Sequence, residues 1–258
     1  MTLTVASYNI HRCIGTDGRY DPNRVIAVLK EIDADVVALQ EVENRSGEGH
    51  ALLQLDHLAD ALGMRSIPDT RLVKRWGEYG NALLTRLPIV DIQRHNLSFN
   101  WCEPRGALDV TLEAAGSPLR IVATHLGLGR FERRYQSMRL VQLLEAGVPG
   151  IPCLVLGDMN EWLPWSRHLR WLDRILGARD GPATFPSRFP VLRLDRLWLR
   201  PAAALQDLRV HGGQLARVAS DHLPLRAEIS LDILHDRRIA EHRPAIPLPA
   251  IASRQAAL

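Results

Sequence analysis

The chain has 258 residues, 46% of them hydrophobic and 24% charged, proportions that exclude a disordered, collagen-like or fibrous protein. Its formal net charge of +3 is mildly basic and suits a phosphate-bearing partner without demanding one. Cys13, Cys102 and Cys153 are odd in number and form no CxxC or zinc-type spacing; with no signal-peptide pattern after Met1 and no uncharged apolar run near the ~20 residues of a membrane span, the sequence predicts a cytoplasmic protein.

The elements follow in chain order. Leu3–Ile10 alternates as a strand, and Asp21-Pro22 reads as an N-cap followed by proline at the first helical position, opening a helix over 23–31. A second strand, 35–40, is apolar through Val36, Val37, Ala38 and Leu39. Apolar residues at 52, 55, 58, 59 and 62 have helical spacing, and Gly63 closes that helix. Strand-like segments then cluster at 71–74, 81–86, 89–95, 107–113 and 119–125, with Gly116-Ser117-Pro118 marking a hairpin between the last two. A long amphipathic helix is expected over 130–146, a buried strand over 152–156, a Trp-rich helix over 164–176, and final strands over 193–199 and 223–230. Hairpins mixed with crossover helices predict an α/β sandwich of two mixed sheets in one domain, 1–235. Residues 236–258, with prolines at 244, 247 and 249 and no periodicity, read as a tail.

The functional signal is positional. Strands end repeatedly in polar residues: Ser7-Tyr8-Asn9-Ile10-His11, Leu39-Gln40-Glu41, Ala123-Thr124-His125, Leu156-Gly157-Asp158-Met159-Asn160, Leu194-Asp195-Arg196 and Ser220-Asp221-His222. One such residue is ordinarily a turn or cap residue, but six gathered at one edge of a sheet build a cleft. Carboxylates with an amide suit a hard, oxygen-seeking cation such as Mg²⁺, and no thiolate joins them, which argues against zinc. His125 and His222 can orient a phosphate, supply protons or stabilise charge, and Asp195 can fix the tautomer of one imidazole. Together these describe metal-assisted displacement at phosphorus, with no covalent nucleophile in view.

The pattern resembles the endonuclease/exonuclease/phosphatase superfamily, typified by deoxyribonuclease I and exonuclease III. The matching segments are SYNIH (7–11), LQEV (39–42), GNALLTR (80–86), THLG (124–127), LGDMN (156–160), LDRLWL (194–199) and SDHLPL (220–225), in the family's order. The resemblance implies a four-layer deoxyribonuclease I-like sandwich of two mixed sheets flanked by helices, with Mg²⁺ or Mn²⁺ as cofactor. It implies Glu41 as principal metal carboxylate, with Asn9 nearby and Asp221 completing the metal side. Asp158 and Asn160 would position or deprotonate the attacking water, and His222, held by Asp195, would contact the scissile phosphate. His125 would be the second phosphate-facing histidine, supported by Glu78, and Asn81 would line the cleft wall. Val42-Glu43 replaces the Thr-Lys usual after this glutamate in apurinic-site nucleases, so the exonuclease III branch fits less well.

Substrate is less legible than reaction. A nucleic acid or another phosphodiester is the expected partner of a monomeric hydrolase with no obligate protein partner. The alternatives are a lipid-headgroup phosphodiesterase or phosphatase, and a catalytically dead binding module on the same fold. Arg105, before Gly106, is a candidate phosphate clamp. Trp162, Trp165 and Trp171 have helical spacing that predicts core packing, with Trp162 alternatively an aromatic wall beside the site. Arg130, Arg133 and Arg134 open the helix after THLG as a solvated end or as cations that aid capture.

Overall fold

In the computed structural model, which describes residues 1–45, 54–74, 77–163, 165–177, 181–234 and 236, the described residues form eleven strands in two mixed sheets. The six-stranded sheet combines β1 (Thr2–Asn9), β2 (Val36–Arg45), β3 (Arg65–Lys74), β4 (Gly77–Thr85), β10 (Leu205–Val210) and β11 (Leu225–Ser230) in the order β10-β11-β1-β2-β4-β3. The five-stranded sheet runs β5-β6-β7-β8-β9 through Ile89–Asn96, Gly106–Ala114, Ser117–His125, Cys153–Asp158 and Asp195–Arg200.

Side chains along a strand alternate faces, so each buried strand serves two cores. Val5, Val36, Ala38, Leu108, Val110, Leu154 and Leu156 face the space between the sheets. Their sequence neighbours turn outward. Ala6, Val37 and Leu39 pack under α1 (Pro22–Ile32) and α2 (Gln54–Leu62). Cys153 and Val155 pack under α3 (Arg130–Glu145) and α4 (Leu169–Leu176). The result is the expected helix–sheet–sheet–helix sandwich. Two four-residue helices, α5 (Ala216–Ala219) and α6 (Leu231–Leu234), complete the order.

Most expected elements form, and the departures have local reasons. Asp21 caps α1 by accepting from the Asn23 amide, with Pro22 at the first position, and Asp33 ends the helix in the left-handed region. The hairpin turn lies one residue earlier than expected: Ala114 pairs with Ser117, and Ala115 and Gly116 both have positive φ, the two-residue turn that matches strand twist. The Trp-rich helix is shorter than expected, beginning at Leu169, and β10, a half-exposed strand at the sheet edge, carried no clear alternation. The expected tail lies, apart from Asp236, outside the described residues, as does the start of the helix expected around 52. Among the described residues no helix is long and apolar enough to cross a membrane.

Two parallel pairs decide where function can sit. β1 runs parallel to β2 with Asn9 beside Gln40, and β7 runs parallel to β8 with His125 beside Asp158. β9 and β11 run the other way, so it is their beginnings that reach this edge: Asp195 pairs with Asp158, and Asp221-His222 precede β11. Residues scattered from 9 to 222 thus meet at one end of both sheets.

Candidate active site

Backbone irregularities aim several of these side chains. A bulge between Leu39 and Val42 in the β2–β4 ladder puts Glu41 at φ 59°. Gly157 has φ 141°, and a Cβ there would fall 1.8 Å from the Thr124 carbonyl oxygen, so only glycine lets β8 lie this close to β7 just before Asp158. Asn160 sits at φ 49°, and His11, Arg12 and Cys13 form a left-handed run after β1. Five of the eight described non-glycine residues with positive φ therefore lie on site segments, the distribution expected where strain serves function.

Asp158 is the hub. Its Oδ2 accepts from Asn9 Nδ2 at 3.1 Å and lies 3.5 Å from His125 Nε2 and 3.7 Å from His222 Nε2, while Oδ1 accepts the Asn160 backbone N–H at 2.8 Å. The same Asn9 nitrogen donates to Glu41 Oε1 at 3.0 Å, linking two carboxylates through one amide. On the far side, Asp195 Oδ2 lies 2.8 Å from His222 Nδ1, and the Phe185 ring packs against the imidazole with centroids 4.9 Å apart. Asn160 Nδ2 donates to the Leu126 carbonyl at 2.9 Å and sits 2.9 Å from His125 Nε2.

The two histidines are held in opposite states. Burial, then the Arg105 guanidinium and then His222, push His125 well below the ordinary imidazole range. Arg105 Nη1 lies 3.0 Å from His125 Nδ1; a guanidinium only donates, so Nδ1 is the acceptor, and the proton on Nε2 has the Asp158 carboxylate 3.5 Å away as its acceptor rather than the Asn160 amide nitrogen, which is itself a donor. Burial also pushes His222 down, but the Asp195 and Asp158 carboxylates outweigh it and hold the imidazole up at about 10. Asp158 itself is pushed up to about 6 by burial, with His222 opposing the shift and Asp195 adding to it. Replacing Arg105 by Met should raise the His125 pKa, because it removes a cation while the burial that disfavours imidazolium remains. Nitrogen chemical shifts of labelled histidine followed against pH would report it; an unmoved titration would show that Arg105 has no hold on the ring.

Several expected roles are corrected by position. Glu78, expected to support His125, is exposed on β4 across from Asn44 and Val73, and Arg105 occupies the Nδ1 edge of the ring. Arg105 is buried and engaged with His125 and Glu103, so it buttresses a histidine rather than standing open as a phosphate clamp. Asn81 is on the wall as expected, donating weakly to the Gly106 carbonyl at 3.4 Å and lining a small notch with Tyr79, Arg105 and His125. Asp195 is wholly buried against His222. Asp221 is partly exposed and 3.8 Å from His11 Nδ1. Trp162 and Trp165 lie outside α4 and are exposed; Trp171 alone of the three packs partly into the core. Phe185 had no motif around it, and neither did Glu161, which is buried against Arg133 and His168. No local sequence signal pointed to either.

Three groups each offer a ligand atom within 4.8 Å of one another: Asp158, Asp195 and His222. Asp195 and His222 Nδ1 are already engaged with each other, which leaves Glu41 and Asp158 as the carboxylates open to a cation, while Asn9 turns its amide nitrogen to both of them and its Oδ1 to the His11 backbone N–H. Two carboxylates joined through one amide N–H group carry excess negative charge and unfilled acceptor positions, and that donor chemistry fits a hard divalent cation.

Comparison with known proteins agrees with this geometry. The model of the Endonuclease/Exonuclease/phosphatase family matches residues 6–222. The chain is 32% identical over 247 residues to the uncharacterized protein YbhP of Escherichia coli K12, covering 89% of this chain and 97% of that protein. Among solved structures, the endonuclease/exonuclease/phosphatase from Bacteroides vulgatus superposes with a TM-score of 0.72 at 19% identity, over 90% of this chain and 99% of that one. A humanized D. rerio TDP2 superposes with a TM-score of 0.67 at 17% identity, over 89% and 99%.

Proposed function

Since the chain belongs to the endonuclease/exonuclease/phosphatase family, whose members are metal-dependent hydrolases of phosphoric esters, we propose that it is a Mg²⁺-dependent phosphodiesterase in which water attacks phosphorus directly. The observation that carries this reading is the single carboxylate, Asp158, set within 4 Å of Asn9 and of both histidines.

Glu41 would be the principal carboxylate for the cation, tied to Asp158 through the Asn9 amide nitrogen, and Mn²⁺ would be its natural substitute among oxygen-seeking ions. When bound, such a cation supplies positive charge to the phosphoryl oxygens. Asp158 and Asn160 orient the attacking water, and the raised pKa of Asp158 makes it a stronger base than an ordinary carboxylate. His222, kept cationic between Asp195 and Asp158, faces the charge that develops on phosphorus oxygens. His125 acts as a neutral hydrogen-bond donor through Nε2, with Arg105 fixing its tautomer. Asp221, 3.8 Å from His11 Nδ1, would bias the cation's position through its charge.

The test pairs turnover with melting. Bis-p-nitrophenyl phosphate should be cleaved with Mg²⁺ or Mn²⁺ and left intact in EDTA. Mg²⁺ should also raise the melting temperature, since a ligand bound by the native state alone adds about 2.7 kcal/mol at a hundredfold excess over Kd. Glu41→Gln should keep the EDTA melting temperature and lose the Mg²⁺ increment. Equal turnover in EDTA, or an undiminished Mg²⁺ response in that variant, would overturn the assignment.

A further inference from the structure

Six large apolar side chains, Trp101, Leu128, Phe131, Trp162, Leu163 and Trp165, are each more than half exposed, and Trp101 is fully so. Five come from three loops far apart in sequence and Phe131 from the start of α3, whose first two turns tie the loops together. The Arg133 guanidinium donates to the Leu128 carbonyl and, at 3.3 Å, to Glu161 Oε2, joining the loop after β7 to the loop after β8. Tyr135 packs against Phe99 with ring centroids 5.2 Å apart, and Glu132 interacts with Cys102, which brings in the loop between β5 and β6. These loops also deliver the site: Arg105 closes the first, His125 precedes the second, and Asp158 and Asn160 open the third.

The rim therefore surrounds one side of the catalytic edge, and its charge is biased. Arg130, Arg134 and Arg167 are exposed within it, with the Arg130 guanidinium 4.8 Å above the Phe131 ring. Two carboxylates of the same region are buried on internal partners, Glu161 on Arg133 and His168 and Glu132 on Gln136 and the Gly129 amide, and the exposed Glu103 is paired with Arg105. Exposed tryptophans mixed with aliphatic side chains and arginines are the composition that settles at a water–lipid boundary, where rings lie at headgroup level and cations meet lipid phosphates. Leu128 and Leu163 add nothing to stacking on nucleobases, but they add buried area in an acyl layer.

We propose that these three loops form an interfacial docking surface for an anionic phospholipid membrane, seating the catalytic edge against the headgroup layer so that a headgroup phosphodiester lies before His125 and Asp158. The choice of substrate rests on the phosphodiesterase reading; the docking surface is measurable apart from it. Wild-type protein and Trp101→Ser/Phe131→Ser/Trp165→Ser are sedimented in EDTA with vesicles of equimolar phosphatidylglycerol and phosphatidylcholine. Melting temperature is the control for folding, because all three side chains are exposed. Wild type should pellet with the vesicles, and the triple variant should lose about tenfold or more in vesicle affinity at an unchanged melting temperature. Wild type left in the supernatant would overturn the proposal. So would equal pelleting of the variant, or a loss of affinity confined to single-stranded oligonucleotide. Hydrolysis plays no part in this readout, so failure to cleave a soluble ester would count against the phosphodiesterase reading alone.

Discussion

Replacing Asp158 by Asn should lower kcat on a soluble phosphodiester by about three orders of magnitude, the ~4 kcal/mol typical of losing a preorganised charge together with a general base. The substitution is nearly isosteric, and the Asn160 amide can still donate to the remaining carbonyl oxygen. What disappears is the capacity to take a proton and the negative charge that faces both imidazoles. The same variant should melt no lower than wild type at pH 7. Burial raises the folded-state pKa of Asp158 to about 6, above its unfolded value, so the wild-type carboxylate favours folding only at low pH. That contribution is complete below the unfolded pKa and is lost as pH rises through about 6, so an uncharged side chain removes a burden at neutral pH. Steady-state kinetics and melting curves at pH 4 and pH 7 would check both halves. A kcat within tenfold of wild type would remove Asp158 from the chemistry.

The contrast between lost activity and kept stability follows from how this site is assembled. A wholly buried carboxylate at the end of a hydrophobic strand is a poor structural choice, since Leu156 and Met159 in the same LGDMN segment are both buried. It persists where positive groups must be gathered around it, and here those groups are two imidazoles in different protonation states. Arg105 makes the difference. By donating to Nδ1 of His125 it supplies the positive charge one layer back and leaves a neutral N–H at the front, while His222 carries its own charge between two aspartates. One histidine is a fixed donor and the other a fixed cation, which separates hydrogen bonding from charge stabilisation within a few ångströms.

Much of this arrangement was legible because parallel strands carry sequence order into space. Alternation located β1, short apolar runs located β2 and β8, and the hairpin signal bounded β7, and a strand that ends in a polar residue places that residue at the sheet edge wherever the strand lies in the chain. Asn9, Glu41, His125, Asp158, Asp195 and His222 could therefore be picked out one strand at a time. Contacts made between a loop and a distant strand end were not legible. The Arg105–His125 pair joins the end of the β5–β6 loop to the end of β7, and nothing near either residue announces it, so the family resemblance pointed to Glu78 as the partner of that histidine. The spacing of Trp162, Trp165 and Trp171 misled for a different reason. Glu161 turns inward to His168 and Arg133 and accepts the Leu163 amide, the helix begins only at Leu169, and Trp162 and Trp165 stay in solvent. The left-handed run at His11, Arg12 and Cys13 was also invisible, since none of these residues is a glycine and tertiary contacts impose the conformation.

His222→Ala should be nearly inactive, with kcat down by about 10³-fold or more, and its value lies in what Asp195 then does. Asp195 is wholly buried and 2.8 Å from His222 Nδ1, an arrangement in which it orients the ring and keeps it charged. It also has an oxygen within 4.8 Å of ligand atoms on Asp158 and His222, the spacing a cation site would need. A double-mutant cycle separates these roles. If Asp195 acts through the imidazole, Asp195→Asn costs about 10²-fold in wild type and almost nothing once His222 is alanine, since there is no ring left to orient. If Asp195 binds the cation, its loss multiplies with that of His222 and lowers Mg²⁺ affinity in both backgrounds. The hydrogen-bond geometry predicts the first outcome, with the Mg²⁺ increment in melting temperature unchanged in Asp195→Asn. Multiplicative losses together with a weakened Mg²⁺ response would move Asp195 from behind the histidine into the cation's own coordination.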